Sequence, residues 1–227
     1  MLIESSEEII SISIIGIYLG ILLLIAEILS RHYKSDAELT RKIVHLGSGN
    51  VILLAWYFNI PKHIIISASI VASVVAIISY ILPILPSVNS VGRNSFGTLF
   101  YAMSIGILSA LFWQNGEKEF TLIGILIMTY GDGLAGLIGQ KFGKNKYEIW
   151  GNKKSREGTF TMMVVSFFVT LSVLGFSLEN LIIAFFVGIL ATILETFSAI
   201  GIDNLTVPII CGIVTYYLSD FSSIVFL

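Results

Sequence analysis

The stretch FTLIGILIMTYGDGLAGLI, residues 120–138, is an apolar run of membrane-spanning length with one acid, Asp132, twelve residues into it. A helix needs roughly 20 apolar residues to cross a hydrocarbon core of about 30 Å. Seven further runs of this kind lie at about 9–29, 43–59, 63–82, 97–113, 158–175, 180–197 and 205–219. Of the 227 residues, 56% are hydrophobic and 12% charged, with a mean hydropathy of +0.91. No soluble fold of that length needs so much apolar surface. The expected fold is all-α: a polytopic transmembrane helix bundle of seven or eight spans. With no repeat, low-complexity tract or long linker, 1–227 reads as a single integral membrane domain.

Charge orients the bundle. Arg31, Lys34, Arg41 and Lys42 precede the second run, Arg93 lies between the third and fourth, and Lys141, Lys144, Lys146, Lys153, Lys154 and Arg156 follow the fifth. These are alternate connections, so eleven of the thirteen lysines and arginines share one side, which the positive-inside rule makes cytoplasmic. The other side holds only Lys62 and Lys118 among acids such as Glu4, Glu117 and Glu179. Eight spans put both termini outside. Acids rather than a basic region precede the first apolar run, so a cleaved signal peptide is not expected. The lone Cys211 reads as a small buried hydrophobe.

Four polar groupings collect on the basic side. Asp132 sits in Gly131-Asp132-Gly133, and an ionised carboxylate at that depth costs a few kcal/mol, so such residues usually face a polar cavity and serve a function. The alternative is an Asp hydrogen-bonded inside the bundle beside packing glycines. Gly131, Gly133 and Gly136 also spell G-x-G-x-x-G, an incidental match without the strand a dinucleotide fold requires. Gly139 and Gly143 are spaced for close helix packing. The basic cytoplasmic loop at about 139–158, with Lys153, Lys154, Ser155, Arg156 and Glu157, suits a polyphosphate, though topology or anionic lipid also makes such loops basic. Arg41 and His45 share a helix face, with Lys42 between them. Glu195, Asp203 and Asn204 end the list, either as part of a metal-phosphate site with Asp132 or as helix-end acid and N-cap.

In order along the chain, Arg41-Lys42-x-x-His45, Gly131-Asp132-Gly133-Leu134-Ala135, Lys154-Ser155-x-Glu157-Gly158 and Glu195 with Asp203-Asn204-x-x-Val207-Pro208 resemble the CTP-dependent polyprenol kinase family. That family includes phytol, farnesol and dolichol kinases, and the resemblance covers about 41–208. Phytol-kinase-like members usually carry an acid at the position of Gly136 and arginine at that of Gln140. Phosphatidate cytidylyltransferases share a stretch similar to 153–158, but their downstream histidine segment has no counterpart, since no histidine follows His63. A small transporter is a weaker reading, because transport sites favour the bilayer midplane and repeated halves.

The resemblance implies transfer of the terminal phosphate of CTP to the hydroxyl of a membrane isoprenoid alcohol, with Mg²⁺ as cofactor. CTP, the lipid alcohol and the bilayer are then the partners, and nucleic acid is not. Asp132 would hold Mg²⁺, and Lys153 and Lys154 the phosphates, with Ser155 and Arg156 assisting. Glu157 would hold metal or orient a lysine. Asp203, or else Glu195, would be a second metal ligand or the base. Arg41, Lys42 and His45 would complete the phosphate site, with Gly131, Gly133 and Asn204 beside the nucleotide.

Overall fold

A computed structural model describes residues 2–32, 37–81, 96–114 and 116–225. It is a helical bundle with one small β-hairpin. The helices are α1 (Leu2–His32), α2 (Ala37–Gly49), α3 (Val51–Tyr57), α4 (Lys62–Ile81), α5 (Gly97–Phe112), α6 (Lys118–Leu126), α7 (Gly133–Phe142), α8 (Arg156–Leu174), α9 (Leu178–Thr196) and α10 (Asp203–Val225). A π-helical segment, Ile127–Asp132, joins α6 to α7 in one continuous rod. Among the described residues, five helices, counting the rod Lys118–Phe142 as one, are long and apolar enough to cross a membrane, and α5 is a shorter apolar one.

The eight expected runs all coincide with helical segments, and two of them are not simple. The run at 43–59 is divided at Asn50 into α2 and α3, and the run at 120–138 contains the π turn. The loop expected at 139–158 is also more ordered than its composition suggests. Its first residues extend α7 to Phe142, and β1 (Lys146–Ile149) then pairs antiparallel with β2 (Asn152–Ser155). Strands of four residues lie below the length at which alternation is readable.

The rod Lys118–Phe142 is central: 61% of its apolar stretch is buried, against 11% for α1. Around it pack α5, α8 and α10, with α9 against α8 and α10, and α1 against α2. Ile123, Ile125, Ile127 and Met128 on the rod meet Leu108, Met162, Val187 and Val207 in a fully buried core. Outward-facing Ile9, Ile17, Leu24, Val71, Phe160, Phe168 and Phe186 remain exposed. So broad an apolar exterior is what a bilayer covers. Some buried hydroxyls bond within their own helices, as Thr170 does to the Ser166 carbonyl and Thr215 to that of Cys211, while Thr121 reaches across to the Leu108 carbonyl.

Glycines set the close approaches. A Cβ at Gly49 would lie 2.0 Å from Thr129 Oγ1, and one at Gly124 would lie 2.3 Å from the Pro208 carbonyl oxygen. Pro208, inside α10, has no N–H to offer the carbonyl of Asn204 one turn earlier. The first turn of α10 therefore retains an acceptor beside the site described next.

Candidate active site

A cavity of ≈470 Å³ opens where α7, the hairpin, α8 and the α9–α10 turn meet. It lies within the range of about 300–1,000 Å³ usual for small-molecule sites. Its walls carry Lys42, Asp132, Lys146, Lys153, Lys154, Glu195, Asp203 and Asn204. Groups from four distant parts of the sequence thus share one wall of four lysines and three carboxylates.

Asp132 ends the π segment. A π turn changes the helical register, and such turns recur at functional sites. The segment is held from α2 and α5. His45 Nε2 lies 3.2 Å from the Met128 carbonyl oxygen and 3.9 Å from Asp132 Oδ2. Both neighbours are acceptors, so this nitrogen carries the proton. The His45 ring also packs on Tyr101, with centroids 4.8 Å apart. The Thr129 hydroxyl donates to the Ile125 carbonyl at 2.7 Å and so accepts from Tyr101. Asn50, at the break between α2 and α3, accepts from the Tyr130 hydroxyl. His45 thus belongs to the frame that orients Asp132, while Asp132 itself lines the cavity.

Gly131 and Gly133 face protein on either side of Asp132. A Cβ at Gly131 would meet Met162 Sδ at 2.7 Å, and one at Gly133 would meet Leu46 at 2.6 Å. Lys42 is only 4% exposed, and its ammonium occupies the space a side chain at Gly136 would take, 1.9 Å from an ideal Cβ. Gly139 and Gly143 let α7 approach β2, since a Cβ at either would fall within 2.8 Å of Ser155.

The hairpin is fastened at three points. Lys154 Nζ pairs with Glu195 Oε1 at 2.6 Å and also donates to the Glu195 backbone carbonyl. Tyr147 hydrogen-bonds Thr159. Glu157 accepts from Asn145 at the hairpin's base, 3.0 Å from its Nδ2, and does not line the cavity. Ser155 lines the wall and N-caps α8, accepting from Gly158 N at 3.1 Å. Arg156 is exposed and lies off the wall. Arg41 lies in α2, and its side chain is outside the described residues.

Asp203 begins α10 and accepts from Asn204 N at 3.2 Å. Its carboxylate is within electrostatic reach of Asp132, Lys154 and Glu195. Glu195 pairs with Lys154, and the carboxylates of Asp132 and Asp203 line the same cavity. Among the described residues, no three His, Cys, Asp or Glu side chains form a ready-made metal cage. Two hard carboxylates beside lysines fit Mg²⁺, which is bound through one or two carboxylates and completes its octahedron with water and phosphate oxygens.

Sequence reasoning did not single out Lys146, Trp150, Asn152, Ser198 or Ile200, which also line the cavity. Lys146 stood in the sequence as one more basic-loop charge. The other four carried no local signal.

A phytol kinase of Synechocystis sp. is 50% identical over 204 residues, covering 88% of this chain and 88% of that protein. Phytol kinase 1, chloroplastic, of Arabidopsis thaliana is 28% identical over 166 residues, covering 67% and 53% respectively. A probable phytol kinase 1, chloroplastic, of Glycine max is 26% identical over 218 residues, covering 83% and 70%. No family model and no solved structure matches the chain. The departures at Gly136 and Gln140 therefore do not separate the chain from the phytol kinases.

Proposed function

We propose that this chain, which belongs to the phytol kinase family, transfers the terminal phosphate of CTP to the hydroxyl of an isoprenoid alcohol dissolved in the membrane. The observation that carries the reading is the single cavity shared by Lys42, Asp132, Lys153 and Asp203. Phosphoryl transfer asks mainly for positioning and charge stabilisation. The lysines and carboxylates that line this one pocket supply both.

Lys42, buried against Gly136, and Lys153, on β2, hold the triphosphate. Mg²⁺, held by Asp132 and Asp203, would neutralise charge on the phosphate oxygens. Lys154 and Glu195 act as a pair that fixes β2 against the end of α9. In the alternative role, Asp203 would accept the alcohol's proton instead of holding the metal, since its carboxylate lines the cavity. His45 keeps the Asp132 carboxylate oriented. The alcohol's tail stays in the bilayer and its hydroxyl enters from the membrane side. The basic end faces the cytoplasm, as the asymmetry of lysine and arginine supports, and both termini lie on the opposite side.

The test uses purified protein in lipid with Mg²⁺ and CTP labelled at the α or the γ phosphate. Phytol, geranylgeraniol, a polyprenol, diacylglycerol and phosphatidic acid are offered separately. Label from the γ position alone, in the extract with an isoprenoid alcohol, is the expected result. Label from the α position would make the enzyme a cytidylyltransferase and overturn the reading.

A further inference from the structure

Among the described residues, three that are not glycine have positive φ: Asn59 at 53°, Trp150 at 53° and Ile200 at 58°. Asparagine tolerates this region. Tryptophan and the β-branched isoleucine do not, and both line the cavity. Each is followed by a glycine with positive φ, Gly151 at 76° and Gly201 at 84°. Trp150-Gly151 is the two-residue loop of the hairpin, a turn that favours Asn-Gly. Neither side chain is rewarded by burial, for Trp150 is 74% exposed and Ile200 is 61% exposed. Two unrelated connections therefore hold a large apolar side chain in a disfavoured backbone state at the rim of one polar pocket. Strain of this kind persists where surrounding structure enforces it, and it clusters at ligand sites.

We propose that Trp150 and Ile200 form the nucleobase subsite of this cavity, with the Trp150 ring stacking on the base and Ile200 making apolar contact with it. The inference rests on the kinase reading above and extends it to the part of the nucleotide that lysines cannot recognise. A base is flat and uncharged and must lie near the triphosphate. Trp150 stands three residues from Lys153 on a hairpin whose lysines line the pocket. The Ile200 turn is pinned by a backbone bond from Phe96 N to its carbonyl at 3.2 Å. Both residues lie in connections between helices rather than within apolar helices. They share the cavity wall with Lys42 and Lys153, the groups assigned to a water-soluble substrate. Aromatic stacking is indifferent to which base is present, so this subsite supplies affinity and leaves selection of the base to polar groups such as Asn152.

The test compares wild type with Trp150→Asn, Trp150→Phe and Ile200→Asn in the full-length chain. Asparagine accepts the left-handed backbone, so the turns are kept while the apolar surface is removed. Turnover is measured against CTP and against the alcohol, and Mg²⁺-tripolyphosphate, which has no base, is the competing probe. Trp150→Asn is expected to raise KM for CTP about 5- to 150-fold, the range that loss of one stacking contact implies. Its effect should fall on KM rather than kcat, with tripolyphosphate inhibition and the KM for alcohol unmoved. Trp150→Phe should retain most of the affinity, and Ile200→Asn should show a smaller loss of the same kind. Equal weakening of CTP and tripolyphosphate would mean a distorted phosphate site and overturn the inference. A higher KM for the alcohol alone would assign the ring to the lipid or the bilayer interface. Wild-type protein that neither binds nor turns over CTP would remove the kinase reading itself, whereas CTP turnover indifferent to all three substitutions would remove only the subsite.

Discussion

Lys154 and Glu195 form a pair that can be taken apart quantitatively. Their charged atoms are 2.6 Å apart, with side chains only 14% and 12% exposed. At an effective dielectric of about 20 the gross attraction is about 6 kcal/mol, much of it offset by desolvation. Removing one partner of a buried pair typically costs about 3–5 kcal/mol, because the other charge is left uncompensated. Both side chains keep some exposure and line the cavity, so we expect about 2–3 kcal/mol for Lys154→Met or Glu195→Leu. Lys154→Met should be the larger loss, since it also removes the bond to the Glu195 backbone carbonyl. The double substitution replaces the pair by apolar groups of similar volume and should cost about 1 kcal/mol or less. Reversible unfolding in mixed lipid–detergent micelles, run on all four proteins, gives the coupling directly. Single losses that simply add, with a coupling below about 0.5 kcal/mol, would refute the role of this pair in docking the hairpin.

Other consequences are separable from that one. Asp132→Asn should leave a folded membrane protein with turnover reduced by at least about 100-fold, comparable to the loss of one preorganised electrostatic group; wild-type activity in the lipid assay would remove Asp132 from the site. Chelation by EDTA should abolish turnover and added Mg²⁺ should restore it, whereas activity unaffected by EDTA would exclude the metal. Gly49→Ala places a Cβ 2.0 Å from Thr129 Oγ1 and should destabilise the protein by about 1–3 kcal/mol through overpacking, which thermal unfolding would reveal. Ser155→Ala removes the cap of α8 and should cost about 1 kcal/mol; a larger fall in activity than in stability would mean that the hydroxyl also serves the substrate.

The positions of the helical segments were legible in the sequence because each follows from composition read locally, whereas the break at Asn50 and the π turn were not. Twenty apolar residues in a row have few options in a bilayer, where every backbone polar group must be bonded within its own segment. Asp132 stood out for the same reason, as a charge at a depth where charges are costly. Proximity was what the sequence could not supply. Residues 42, 132, 153 and 203 meet because α2, α7, the hairpin and α10 converge, and no local pattern encodes that. Lys154 and Glu195, whose sequence readings were independent, a phosphate ligand and a base or metal ligand, form an ion pair in the cavity wall. Glu157 likewise became a hairpin contact. Trp150 and Ile200 carried no signal at all, since an exposed apolar residue in a loop is ordinary until its backbone angle and its neighbours are known. Sequence alone therefore determined the solvent each segment prefers. Only the tertiary structure decided which charges meet one another and which line the cavity, because that depends on distances of a few ångströms between groups far apart in the chain.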